Sequence, residues 1–349
     1  MNRLSLSLLI ASCAAPLTAQ KDHIVWTDGT ITRDCRITDF TWREVKFTDQ
    51  GRSEAKPADA VARLHVEKVQ NAFKRALAAT SKDDKYLEFR RQAEKLSKSD
   101  PFLAQFGYVE ASRLLVQNGQ LGEAFALLEK MESELPDAGL RPEVYRIKMD
   151  VQLARGDAAS AKVVAKKYAD TALQQGWPDG FVHEAEYFSI MARAAAEELD
   201  AGGRRAEMET LLGKTDGSFP SVADRARVQL ANAARDGGRV DEALEAYEQV
   251  LNKAGVDEGT RAEALIGQGH AHLKQGDPSN TEPYREAMLA FLRVYLETES
   301  APAERKAEAL HFAAEACDKW RGPDAGQMAR RLRGFLRRDY AETSWASRR

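Results

Sequence analysis

Cysteine is nearly absent: the 349 residues hold three, Cys13, Cys35 and Cys317. Cys35 falls in a β pattern and Cys317 in an apolar helical pattern. A stapling disulfide between them is not expected, and both read as small buried hydrophobes. No two cysteines have the spacing of a zinc site. Charge of one sign is lacking too. Lys and Arg total 51 against 54 Asp and Glu, a formal net charge of −3. No global field of this chain would recruit nucleic acid or an anionic membrane. The arginine-rich end, Arg330 to Arg349, reads as a solvated helix face. No apolar run reaches the roughly twenty residues that a membrane-spanning helix needs.

The motifs of catalysis are also missing. Gly213-Lys214-Thr215 has the form of a phosphate-loop tail, but Met208 stands where that loop requires glycine, and the segment before it reads as helix. Gly267 and Gly269 fail as a dinucleotide fingerprint, because His272 occupies the third glycine's place. No serine sits in a G-x-S-x-G elbow. Among the six histidines, His270 and His272 are two apart, so on a helix they face different ways and share no metal. Carboxylates such as Glu242 and Glu245 read as solvated helix surface. Neither a metal nor a cofactor is expected, and the chain reads as a protein that is not an enzyme.

Residues 1–19 have the anatomy of a secretory signal peptide. Arg3 supplies the charge, Leu4 to Ala15 the short apolar core, and Leu17-Thr18-Ala19 the small residues before a cut. Ile10-Ala11-Ser12-Cys13 also resembles a relaxed lipobox, which would make Cys13 a lipidation site. Cleavage after Ala19 is favoured and would release the protein to the periplasm or beyond. Lipidation would tether it to a membrane.

Residues 20–67 read as β structure. His23-Ile24-Val25-Trp26 runs into an Asp28-Gly29 turn. Ile31, Cys35 and Ile37 share one phase. Val45 and Phe47 alternate before Asp49-Gln50-Gly51, Pro57 ends a fourth segment, and Leu64 and Val66 alternate in a fifth. Five short strands in so few residues predict a small SH3-like or Sm-like barrel, with Trp26 and Trp42 in its core. Such a core is marginal alone and should lean on the helices C-terminal to it.

From residue 68 to 349 the period is helical. Val69, Phe73 and Leu77 fit one apolar face, and Tyr86, Phe89, Ala93 and Leu96 another. Ala226 to Leu251 forms the clearest two-helix unit. Leu230, Ala231 and Ala234 lie on the first helix, Gly237-Gly238 forms the turn, and Ala243, Tyr247, Val250 and Leu251 lie on the second. Tyr108, Ser112, Gly119, Ala124 and Leu128 keep the same intervals, and Tyr145, Gly156 and Ala161 part of them. Gly269 to Asp277 fits the end of a first helix, with extra residues between Asp277 and Pro283 before Ala287 and Phe291. Residues 181–213 fit less well, with Gly202-Gly203 as the expected turn.

The small residue, glycine, alanine and aromatic at Ala231, Gly238, Ala243 and Tyr247 resemble the tetratricopeptide repeat. The resemblance extends over roughly residues 85–346, in five or six units. It implies a mainly α chain, an α-solenoid of stacked helix pairs whose concave face holds a protein or peptide partner. The groove positions it implies are Val109, Arg113 and Val116; Arg146, Asp150 and Leu153; Val228, Asn232 and Arg235; and Ile266, His270 and Leu273. Arginine or asparagine there could bond a peptide's backbone or carboxylate. The expected function is non-catalytic interaction or scaffolding in the bacterial cell envelope. A lipid-anchored assembly factor or an accessory subunit of an enzyme complex is the alternative.

Overall fold

A computed structural model of the chain describes residues 22–298 and 301–348. The expected signal peptide and Cys13 lie outside the described residues. Five strands come first: β1 (Asp22–Trp26), β2 (Ile31–Phe40), β3 (Glu44–Asp49), β4 (Arg52–Pro57) and β5 (Val61–His65). They form one antiparallel sheet in the order β4-β3-β2-β1-β5.

The strands are where the sequence puts them, but the expected barrel does not close. β4 and β5 remain as two edges. A register shift between Ile37 and Asp39 in β2 returns Phe40 to the core face beside Ile37. Such bulges curve a sheet without joining its rims. The curved face buries Ile24, Trp26, Val45 and Phe47. Edge strand β4 is exposed along its length and carries Lys56 and Pro57, which discourage pairing with another chain. Buried Asp22 ties the sheet to the helices: its carboxylate accepts from the Ile37 and Glu67 amides, each at 2.8 Å.

The first helical face is broken. α1 (Glu67–Ala72) and α2 (Lys74–Ala78) are separate, because Phe73 leaves helical geometry at φ −105°, ψ 18°. Phe73 and Ala76 turn inward, whereas Leu77 is 44% exposed. α3 (Lys82–Leu96) starts at Ser81, whose hydroxyl accepts from the Asp84 amide.

Helix pairs come next: α4 (Pro101–Gln117) with α5 (Leu121–Glu134), α6 (Arg141–Ala154) with α7 (Ala158–Gln175), and α8 (Asp179–Ala195) with α9 (Ala201–Thr215). Then come α10 (Pro220–Asp236) with α11 (Val240–Leu251), α12 (Glu258–Gln275) with α13 (Glu282–Glu297), and α14 (Ala303–Trp320) with α15 (Ala325–Asp339). The first helices of successive pairs touch one another and form an inner row. From α7 onward, each outer helix also packs on the next inner one.

One turn falls earlier than expected. Gly202 and Gly203 lie in the first turn of α9, because Asp200 caps that helix by accepting from the Gly203 amide. The other expected turn, at Gly238, has φ +82°, a left-handed conformation suited to glycine. Tyr247 is fully buried in the wedge between its pair and the next. Gly267 makes room for it: a Cβ there would lie 2.5 Å from the Tyr247 ring.

The row comes round far enough for its ends to meet. The Lys82 ammonium donates to the Asp339 carbonyl at 3.5 Å. A Cβ on Gly119, in the α4–α5 turn, would lie 3.1 Å from that of Glu342, beyond α15. Trp345 then covers Phe312, with ring centres 5.3 Å apart.

The sheet is built onto one rim of this row. Trp42 stacks on Trp177 at 5.8 Å between ring centres. Gly139, entering α6, donates to the Phe40 carbonyl at 3.1 Å, and the Asp59 carboxylate accepts from the Gly180 amide at 2.9 Å. Arg63 pairs with Glu258 at the start of α12. Sheet residues and α6–α10 residues therefore share one apolar core. The expectation that the small β core leans on the helices agrees with this packing.

Gly267→Ala forces a methyl against the enclosed Tyr247 ring and should lower stability by about 1–3 kcal/mol. Urea denaturation measures it.

Candidate functional site

The inner row and the sheet enclose a cavity of about 690 Å³. Its apolar lining includes Ile31, Leu64, Phe106, Leu140, Leu153 and Met191. Charged residues of the inner helices line the same cavity. Ile31, 40% exposed, and the Arg305 side chain, 41% exposed, mark the mouth.

The charged residues form a ladder that crosses from helix to helix. Arg113 on α4 donates to Glu110 at 2.5 Å and to Glu143 on α6 at 2.7 Å. Arg146 donates to Glu143 at 3.1 Å and to both oxygens of Glu184 on α8, at 2.7 and 2.9 Å. Glu184 also accepts from the buried Tyr168 hydroxyl at 2.6 Å. Arg225 on α10 lies 3.4 Å from Glu184 and 3.3 Å from Asp257. Arg305 on α14 lies 3.8 Å from Glu263 and 3.1 Å from Glu308. Each of these guanidinium groups is thus shared by two carboxylates. Removing such charges from water costs several kcal/mol per ion. The ladder therefore fixes how the inner helices register on one another more than it adds stability. Burial pushes the Glu143 carboxyl up, but Arg113 and Arg146 overcome it and hold the group at about 2.

Asp150, one turn further along α6, is different. It lines the cavity, and among the described residues no hydrogen bond or ion pair reaches its carboxylate. Burial raises its pKa to about 7 against the pull of Arg225 and Arg305, with Glu143 and Glu263 adding to the rise.

The groove positions expected in the first two units, Val109, Arg113, Val116, Arg146, Asp150 and Leu153, all face this one cavity. Those of the later units do not. Val228 and Ile266 are buried in the helix packing. Asn232 accepts a 2.6 Å hydrogen bond from Tyr247, Arg235 pairs with the adjacent Asp236, and His270 lies 3.7 Å from Glu308 against Phe312. The arginines expected to take a ligand's carboxylate are already held by the protein's own carboxylates. Sequence reasoning missed Glu143, Glu184, Arg225, Asp257, Glu263 and Arg305, which it left among the solvated charges. The available signal was an acid–arginine pair three residues apart on several inner helices, as at Glu110/Arg113, Glu143/Arg146 and Arg305/Glu308.

The rejected motifs are structural parts. Gly213-Lys214-Thr215 lies within α9, where the Thr215 hydroxyl donates to the Leu211 carbonyl. Cys35 and Cys317 are buried free thiols, each pushed up to about 11 by burial. Among the described residues no group of three or more His, Cys, Asp or Glu could hold a metal ion, and no helix is long and apolar enough to cross a membrane.

Fold and cavity together define a helical-repeat protein with an internal, sheet-covered chamber. No protein-family model matches the chain, and no curated protein matches it. Among solved structures it is similar to Bacillus thuringiensis PlcR, seen in a crystal structure with the peptide PapR7 and DNA. The identity is 11% and the TM-score 0.44, covering 77% of this chain and 100% of that one. A likeness of that degree carries no argument about what this chain binds.

Asp150 gives a pH signature. Between 3.8 and about 7 the folded chain keeps a proton that the unfolded chain has lost. Its contribution to stability therefore falls as pH rises through that window. Asp150→Asn removes the cost of burying the charge. It should therefore stabilise the chain more at pH 8 than at pH 5, by about 1–3 kcal/mol. Thermal denaturation at the two pH values checks this.

Proposed function

We propose that the chain is a non-catalytic interaction or scaffolding protein of the tetratricopeptide-repeat type, holding a segment of a partner protein in its sheet-covered cavity. The observation that supports this most is the cavity itself. At about 690 Å³ it falls within the usual range for binding pockets, and its lining combines apolar and charged side chains. It suits a short stretch of chain entering from the mouth better than a long peptide running the length of an open groove. The inner row offers the rigid frame such a site needs.

The site of action in this reading is the bacterial cell envelope. It rests on the charge at Arg3, the apolar run from Leu4 to Ala15 and the small residues before Gln20. The reading assigns no bond-making step to the chain. The sequence holds no G-x-S-x-G elbow or phosphate-loop motif, and Asp150 lacks a hydrogen-bonded partner among the described residues.

Ile31→Trp narrows the mouth from the sheet side, at a half-exposed position that tolerates bulk. Affinity capture from envelope extracts should recover a partner with the wild-type chain and lose it with Ile31→Trp, at unchanged melting temperature. Equal recovery of every partner by both chains would count against the cavity as the binding site.

A further inference from the structure

We propose that the cavity takes a basic side chain carried between apolar residues of a partner peptide, with Asp150 as its counter-ion. This rests on the cavity being the partner site and adds the chemistry of what enters it. Three observations carry it. First, each guanidinium group of the ladder is divided between two carboxylates, and Asp150 is the lining carboxyl that none of them pairs with. An entering anion would meet guanidinium groups already shared between carboxylates, with only the buried Arg225 Nε lacking a hydrogen-bond partner among the described residues. An entering cation would find one carboxyl with no partner among the described residues.

Second, the groups facing Asp150 come from several helices. Arg225 of α10 and Arg305 of α14 line the same cavity as cations, and Glu143 of α6 and Glu263 of α12 as anions, and all four act on its charge. Both cations already lie against carboxylates other than Asp150, so a ligand ammonium or guanidinium is the complement Asp150 lacks. Among the described residues the carboxylates are not clustered as a metal-ligand set, which favours an organic cation. Third, the apolar side chains of Ile31, Leu64 and Leu140 line the same cavity. It can cover the aliphatic stem of lysine or arginine and the apolar residues beside it.

Binding should also move a proton. In the empty cavity the Asp150 carboxyl is largely protonated at pH 6. A cation beside it favours the carboxylate, and the displaced proton goes to solvent.

The test uses acetylated, amidated pentapeptides Ala-Leu-X-Leu-Ala, with X as Lys, Gln or Glu, titrated calorimetrically into the full chain at pH 6 and pH 8. The Lys peptide should bind about tenfold or more tightly than the Gln peptide, and the Glu peptide least. Binding of the Lys peptide should strengthen from pH 6 to pH 8. At pH 6 its heats in two buffers of different ionisation enthalpy should show proton release. Asp150→Asn, expected to fold at least as well, should abolish both the Lys preference and the proton release. Asp150→Ala serves as a second variant, with circular dichroism confirming the fold of each. Equal binding of Lys and Gln peptides, preference for Glu, an unchanged preference in both variants, or no binding of any probe would overturn the proposal. Loss of a captured partner in Ile31→Trp alongside any of those results would leave the cavity as partner site and remove only the basic ligand.

Discussion

The seam between the sheet and the inner helices is the constraint on which the rest depends. Trp42 stacked on Trp177, the Phe40 carbonyl on Gly139, and Asp59 on Gly180 lock the curved sheet across the loops that enter α6 and α8. A two-helix unit cannot bury its own apolar face and needs neighbours on both sides. A five-strand open sheet has the same problem on its concave side. Here each supplies the other's missing cover, and the cavity is the space left where they do not touch.

That arrangement explains why charge is tolerated inside. With the sheet covering one rim and the chain's ends meeting near Lys82 and Asp339, the inner helices are held in one register. Ion pairs that cross from helix to helix need such fixed geometry to offset desolvation. The ladder from Glu110 to Asp257 takes one or two steps per helix. Asp150 departs from it, half-buried and, among the described residues, without a partner. Buried charge without a partner is costly, and such residues mark places where structure has been given up for another purpose.

Much of the fold was legible in the sequence. Strand positions came from alternation and from turn residues such as Asp28-Gly29, and the helix pairs from the spacing of Ala231, Gly238, Ala243 and Tyr247. What failed did so for local reasons. Barrel closure depends on whether edges meet in space, and the bulge at Ile37 and Asp39 is silent in a hydrophobic pattern. Gly202-Gly203 reads as a turn until the Asp200 cap is seen to start the helix before it. Phe73 breaks a periodicity that Val69 and Leu77 otherwise extend. Of the site, the lining from α4 and α6 was legible because groove positions recur at fixed intervals. The ladder was not, since a carboxylate facing a guanidinium on another helix has the same sequence signature as one facing water.

Sheet and helices should behave as one cooperative unit around the cavity. Native-state hydrogen exchange on the wild-type chain and Trp42→Ala decides it. If the seam holds both sides, the variant loses protection together in β1–β3 and in α6 and α8. Loss confined to the strands, with the amides of α6 and α8 keeping wild-type protection, would contradict the account.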